Sequence, residues 1–506
     1  MLRRILGRIN LRQVIFKQRR TKTQEVVLFR NNQETTYLRK LGLLETMYHN
    51  LHLKGSDIYD EYFEFKTSKN LTNEDLNLGL SLWIKRHPWL RISMKDRGGG
   101  DILNRFHLFE VPEVTTEVLS NVQCSEEELS EVARDHFKLI MDNTERIPLW
   151  RLVQIQPYNQ VSDNDCNTHE WNTDFTYRWL FVHHHIVSDG IYIIMLIQDL
   201  LFYLEHAQER SLSLEDIEEL PFPPAIEDLL PHAGESKLSL PPLSPQNESE
   251  LYALEAYEAM FSSEIRSLAN SPEVTLHKEM NLGCDQTKLF HQLCRDNGTT
   301  ITGLSLAVTA YAFSNLLKDS LSSEISTVVV PAIYTIDLRR YILDETYSKL
   351  FPGCASLHMS LYIRINMKNG TNNMSDILST AAKISGDIAR VVKDKEPVKL
   401  FRDIVHHDLY LNNSKTKDPF VIYFTNAMNM DNNVTPNRNC NLKLHEFKVL
   451  THVGIQCMPV FAIIVWTRES KFTLESLSAA NYTSVTTHSL LSQHINDIFQ
   501  LCIEYY

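Results

Sequence analysis

The chain has 506 residues, 43% of them hydrophobic and 22% charged, and a net charge of −13. That length allows two or three packed domains, and the acidic balance excludes a general nucleic-acid binder. Eight cysteines (Cys124, Cys166, Cys284, Cys294, Cys354, Cys440, Cys457 and Cys502) form no C-x-x-C pair, which argues against a zinc ribbon, a thioredoxin-like site or a disulfide scaffold and suits a reducing, intracellular compartment.

Residues 1–38 read as a basic N-terminal segment. Within 1–24 stand Arg3, Arg4, Arg8, Arg12, Lys17, Arg19, Arg20 and Lys22 and no acid. Leu2, Ile5, Leu6 and Ile9 share one side of a helical projection, with Arg4, Arg8 and Arg12 away from them; Leu11, Val14 and Ile15 spoil the pattern. Three readings stand side by side. One is a membrane-surface helix held by anionic lipid, as on endoplasmic reticulum or a lipid droplet. The others are a mitochondrial-type presequence and a disordered basic tail.

Arg39 to His49 reads as a short helix, and Asp60 to Phe65 alternates as a strand. Leu71 to Leu76 starts a helix that Thr72 or Asn73 caps, with acids in its first turn. Pro88 ends it before a strand from Leu90 to Met94. Gly98 to Gly100 is a hairpin-type loop, not a phosphate cradle, because no Lys-Ser/Thr pair and no helix start follow it. Ile147 to Ile155 is another strand.

From Tyr177 an apolar run climbs into His183, His184 and His185, breaks at Ser188-Asp189-Gly190, and resumes from Ile191 to Leu204. The pattern predicts a buried strand, a tight turn and a buried helix, with His185 where the strand stops. The run from Gly190 to Leu204 is shorter than the roughly 18–20 residues of a membrane span and holds Gln198 and Asp199. No integral span is expected.

Histidine is the side chain whose ordinary pKa lets it take and return a proton near neutral pH. Adjacent strand residues face opposite sides, so one of His184 and His185 points into a cleft while the other is a buried spacer, and His183 shares a face with His185. Asp189 can orient the imidazole directly, or fix the loop through an arginine elsewhere. Gly190 leaves an open floor where a substrate approaches. Against these stand plainer readings: Asp189 as a helix cap, the histidines as core residues, and His183 with His185 as half of a metal site. The metal reading lacks a third ligand at a plausible spacing, and no metal is expected.

Residues 207–250, with Pro221, Pro223, Pro224, Pro231, Pro241, Pro242 and Pro245, read as a long crossover outside any core. Beyond it, helical patterns cover Leu251 to Leu268 and Gln286 to Cys294, and Thr299 to Leu304 leads a helix through Leu317. Strands follow at Ser326 to Ile333, Leu357 to Ile365, Pro419 to Phe424 and Val460 to Trp466, with helices at Asp376 to Val392 and Leu490 to Tyr505. The alternation is that of an α/β fold, with domains at 39–206 and 251–506.

His184-His185-Ile186-Val187-Ser188-Asp189-Gly190 resembles the H-H-x-x-x-D-G signature of the CoA-dependent, chloramphenicol acetyltransferase-like acyltransferase superfamily. Other pieces resemble that superfamily in order: Arg86-His87-Pro88-Trp89-Leu90-Arg91, Thr300-Ile301-Thr302, Ile336-Asp337-Leu338-Arg339 and Thr425-Asn426. Arg39 to Glu45, Trp150-Arg151-Leu152 and Leu220 to Glu227 look most like the fungal alcohol acetyltransferases. The D-F-G-W-G motif of plant and condensation relatives is absent, and Ala427 stands where a glycine is common.

The resemblance implies two acyltransferase domains of mixed sheets flanked by helices, with a tunnel at their interface that CoA enters from one side and the acceptor from the other. It implies His185 as general base and Asp189 as a structural acid, with His184 and Gly190 as motif residues. Arg339 is the expected partner of Asp189, with Arg340 as fallback, and Thr425 and Asn426 stand near the substrate or oxyanion. On this expectation His183 and His184 are strand residues. The implied reaction moves acetyl from acetyl-CoA, a co-substrate and not a resident cofactor, to an alcohol. The alternatives are a lipophilic amine such as a sphingoid base, or a non-catalytic lipid- or partner-binding relative. A monomer is expected.

Overall fold

The computed structural model describes residues 35–53, 59–98, 102–111, 114, 119–125, 128–156, 175–231, 250–268, 275–318, 321–322, 324–348, 351–367, 373–401, 403, 421–429, 442–449 and 461–505. The basic segment 1–24, Gly99 and Gly100, and residues 232–249 of the crossover lie outside the described residues.

The segment expected to be helical from Arg39 begins instead with strand β1 (Thr36–Lys40), and helix α1 (Leu43–Leu53) starts only after Gly42. Pairing overrides helix propensity here. In this three-stranded sheet β1 bonds to one edge of β4 (Phe106–Glu110), and β3 (Ile92–Asp96) bonds to the other. Helix α2 (Asn73–Arg86) opens with a capping box between Thr72 and Asp75. Pro88–Arg91 then makes a 3-10 turn, so the strand read from Leu90 starts at Ile92.

The main sheet of the first half has the order β13-β2-β7-β6-β5. Its members are β2 (Tyr59–Thr67), β5 (Leu119–Gln123), β6 (Trp150–Gln156), β7 (Phe175–His183) and β13 (Lys443–Val449). Strand β13 comes from the second half of the chain and pairs antiparallel with β2. Phe63, Phe65, Trp179 and Phe181 are buried and recur at the two-residue spacing that puts side chains on one face. Helices α3 (Leu129–Asp142) and α4 (Tyr192–Glu209) complete this half.

In the second half the sheet order is β11-β10-β12-β14-β15-β9, with β8 paired on β10. These strands are β8 (Glu250–Tyr252), β9 (Thr275–Leu282), β10 (Thr327–Asp337), β11 (Ser356–Asn366), β12 (Ile422–Asn429), β14 (Phe461–Arg468) and β15 (Lys471–Ala479). The pairs β10/β12, β12/β14 and β8/β10 are parallel and the rest antiparallel, a mixed sheet. The helix expected over Leu251 to Leu268 is interrupted, because Glu250–Tyr252 bonds along β10 before α5 (Ala253–Met260) and α6 (Ser262–Leu268) begin. Four longer helices complete this half: α7 (Cys284–Asp296), α8 (Ile301–Leu317), α9 (Met374–Lys393) and α10 (Val485–Tyr505).

Strand alternation explains how one sheet serves two cores. Phe461, Ile463 and Val465 of β14 join the core of the second half, while Ala462, Ile464 and Trp466 face that of the first. Helix α1 crosses in the opposite sense: its Leu44, Met47, Tyr48 and Leu51 belong to the second core.

The crossover is not wholly outside the core, as its composition had suggested. Ile217, Ile226 and Leu230 are buried, and the one-turn helix Ile226–Leu229 brings Glu227 to the start of α1. There Glu227 Oε1 accepts from the Leu43 amide at 2.5 Å, while Glu45 accepts from Gly42 N–H and from both Arg39 terminal nitrogens, each at 2.7 Å. A carboxylate suits the amides of a helix N-terminus. Burial, then the neighbouring Glu45, push the Glu227 carboxyl up to about 7. Among the described residues no single helix is long and apolar enough to cross a membrane.

Candidate active site

Strand β7 ends at His183, two residues before the expected stop. His184 and His185 already lie in the turn, which Val187 N–H closes on the His184 carbonyl at 2.8 Å. Their side chains still diverge. His184 is buried against His49 and His52 of α1, and His185 lines the cleft where the two halves meet.

His185 Nδ1 lies 2.7 Å from the Ser188 carbonyl. A carbonyl oxygen only accepts, so Nδ1 carries the hydrogen and Nε2 the lone pair. The ring is held on further sides. Its backbone N–H donates to His52 Nε2 at 3.0 Å, and Tyr48 packs edge-on at 4.2 Å between centroids. Cys354 Sγ stands 3.9 Å from Nε2. Burial first, then the field of His183, push the imidazole down to about 3, so it is neutral throughout the physiological range.

Asp189 does not touch that imidazole by any hydrogen bond described. Its Oδ1 accepts from the Ile191 and Tyr192 amides at 3.2 and 3.0 Å, capping α4 as one plain reading had it. The same carboxylate meets Arg339 in a fork at 2.9 and 3.1 Å and takes the Ala355 amide at 2.9 Å. Burial would raise this carboxyl, but Arg339 and the backbone donors outweigh it and hold the group at about 2. Arg339 is itself anchored on the Phe351 and Gly353 carbonyls at 3.2 and 2.8 Å. The ion pair thus ties the His turn of one half to the turn after β10 of the other, and the hydrogen bonds to Phe351, Gly353 and Ala355 extend the link to the loop before β11.

The Arg86 to Arg91 segment braces the turn from behind. Trp89 Nε1 donates to the Ile186 carbonyl at 3.0 Å, and His87 bridges Tyr192 and Asp199, both at 3.0 Å. Gly353 has φ +90°, and a Cβ there would stand 2.8 Å from Trp89 Nε1 and 2.9 Å from the Ile186 carbonyl. Gly353→Ala therefore meets a left-handed backbone penalty of about 1–2 kcal/mol and a collision with both. We expect a loss of more than about 2 kcal/mol in chemical denaturation; a loss below 1 kcal/mol would refute this account.

Thr425, on β12, lines the cleft and its hydroxyl sits 2.9 Å from that of Thr335 on β10. Asn426 turns elsewhere: its amide donates to Thr302 Oγ1 at 2.9 Å, pinning β12 to the first turn of α8. Gly190 lines the cleft. Arg340, the fallback partner, is exposed and Arg339 takes the role.

Sequence reasoning missed Tyr48, His52, Glu61, Thr335, Cys354, Ser356 and Tyr423. His183, expected on the face of His185 but as a strand residue without a catalytic role, lines the cleft beside Glu61. His49 and His52 stand three apart, a helix-face spacing, but nothing local says which surface that face meets. Among the described residues no group of three or more His, Cys, Asp or Glu side chains is placed to hold a metal ion.

The buried histidines carry an acid-stability prediction. Burial holds His49 down at about 4 and His184 well below 6.5. Below about pH 6.5 the unfolded chain takes protons on these rings and the folded chain does not. Their contribution to stability is therefore complete above 6.5 and is lost as pH falls through about 4, at up to about 1.4 kcal/mol per pH unit for each ring. The melting temperature should drop steadily between pH 7 and 4.5; a flat profile would contradict the burial of these rings as neutral groups.

No family model and no curated protein sequence matches the chain. Solved structures do. The chain is similar to the TRI3 trichothecene 15-O-acetyltransferase from Fusarium sporotrichioides, with 16% identity over 92% of this chain and 95% of that one, at a TM-score of 0.63. It is also similar to polyketide synthase associated protein 5 from Mycobacterium tuberculosis, with 13% identity over 94% and 100% and a TM-score of 0.59. The condensation domain of the Monacolin K polyketide synthase MokA gives 10% identity over 93% and 98% and a TM-score of 0.56. The chain therefore has the two-lobed, mixed α/β fold of condensation and chloramphenicol acetyltransferase-like acyltransferase domains, over nearly its whole length.

Proposed function

We propose that this protein transfers an acetyl group from acetyl-CoA to the hydroxyl of an alcohol, with His185 as general base. One observation carries the reading: a buried, neutral imidazole whose Nδ1 is locked on the Ser188 carbonyl, presenting the Nε2 lone pair in the cleft between two lobes. The acyltransferase relatives of the same fold support it.

In this reading the acceptor O–H loses its proton to Nε2 as its oxygen attacks the thioester carbonyl. The Thr335–Thr425 pair uses one hydroxyl proton internally and offers the other to the developing oxyanion. The carbon–sulfur bond then breaks, and the proton on Nε2 passes to the CoA sulfur. Asp189 and Arg339 hold the turn and take no proton. Cys354 is no nucleophile here, since burial and the nearby Asp189 push its thiol up and keep it protonated. Contact of residues 1–24 with an anionic membrane surface belongs to the same proposal, as a means of reaching a lipophilic acceptor.

The test incubates purified protein with radiolabelled acetyl-CoA and short alcohols, sterols and long-chain amines, following labelled product and free CoA thiol. Labelled acetate ester with stoichiometric CoA release supports the reading. Labelled amide alone moves the acceptor to amines, and no product with any acceptor refutes it.

A further inference from the structure

Glu61 of β2 and His183 at the end of β7 have side chains 5% and 1% exposed, yet both line the cleft with His185. His183 Nδ1 lies 3.1 Å from the His184 carbonyl, which only accepts, so that nitrogen carries hydrogen. Its Nε2 lies 3.0 and 3.3 Å from the two Glu61 oxygens. The imidazole is thus engaged at both nitrogens and shares a proton with the carboxylate. Among the described residues His183 is the one side chain or amide within hydrogen-bond reach of the Glu61 carboxyl, which has room for about four hydrogen bonds when ionised.

A buried acid–imidazole pair is weak as a stabilising device, because desolvation offsets its attraction. The same sheet face continues with Phe63, Trp179 and Phe181, so an apolar pair would extend it at lower cost. Ile193, Phe447, Val449 and Ile464 supply apolar lining nearby. A cleft built only for a hydrocarbon alcohol has no use for Glu61.

We propose that Glu61, positioned by His183, accepts a hydrogen bond from a second donor group on the acceptor. The acceptor is then a lipophilic diol or amino alcohol, with a hydroxyl or ammonium group a few bonds from the hydroxyl that reacts. Glu61, His183 and His185 line one cleft, and residues two apart have Cα atoms at most about 7 Å apart, which places the second donor near the reacting hydroxyl rather than at the far end of a long chain. This assignment rests on His185 as the base.

The experiment compares full-length wild type and Glu61→Gln with 1-octanol, 1,2-octanediol and 2-amino-1-octanol. Binding is measured by calorimetry without CoA, and kcat/KM with saturating acetyl-CoA. Wild type should favour one or both bifunctional compounds over 1-octanol by about tenfold or more, and Glu61→Gln should erase most of that ratio. A preference for the amino alcohol that falls with salt identifies an ammonium, and one for the diol identifies a hydroxyl. Equal binding of all three by wild type overturns the proposal, and needs no variant to fold. An equal loss for all three in Glu61→Gln also overturns it, marking the pair as structural. Selective binding without any acetyl transfer supports the Glu61 site and sinks the base assignment instead.

Discussion

His185→Ala should lower acetyl transfer by about 10²–10⁴-fold, the usual contribution of a positioned general base, with the loss in kcat rather than in the KM for acetyl-CoA. On the proposed mechanism the imidazole makes its proton-accepting contribution only in the transition state and takes no part in CoA binding. The substitution removes a ring packed against Tyr48, so some stability is lost too, and circular dichroism and melting must show a folded variant before the rate is read. The wild-type pH profile is a second check. On the proposed mechanism activity needs neutral His185, and burial, then the field of His183, holds its pKa near 3. The kcat/KM should therefore stay level from pH 8 to about pH 5, without the acid limb near 6.5 of an exposed histidine. A His185→Ala protein that is folded and as active as wild type would remove the mechanism.

Asp189→Ala should cost about 3–5 kcal/mol of folding stability, the range for breaking a buried ion pair from one side. It would strand Arg339, 4% exposed at its side chain, and would free the Tyr192 and Ala355 amides of their acceptor. Arg339→Ala should cost a similar amount by stranding the carboxylate. The double variant should lose much less than the sum of the two, because both single changes break one unit. Simple additivity in denaturant titrations would show that the pair does not link the halves. The catalytic loss in either single variant should scale with unfolding of the turn, since on the proposed mechanism neither group touches the reacting atoms.

Much of the site was legible along the chain, for a local reason. A strand, a turn and a helix within some thirty residues declare themselves through apolar runs and a Ser188-Asp189-Gly190 break. Hence His185, Asp189 and the α4 start could be placed without coordinates. The distant Arg339 came from resemblance alone, and its ion pair with Asp189 spans 150 residues. Errors fell where pairing partners outside the local window decided conformation. Thr36 to Lys40 became a strand because Phe106 to Glu110 runs beside it. The segment 207–250 reads as a crossover outside any core, yet it delivers Glu227 to a helix start.

The amino-acid order by itself determined the α/β alternation, the histidine turn, and the acid that caps the following helix, because each depends on neighbours close in the chain. Only the tertiary structure decided which histidine nitrogen faces the cleft, since that follows from Ser188 folding back onto Nδ1. It alone decided that β13 crosses into the first sheet beside β2, which carries Glu61 into the cleft. It also set the neutrality of His185, because an imidazole loses its affinity for protons when packed walls exclude water, and those walls are assembled from both halves of the chain.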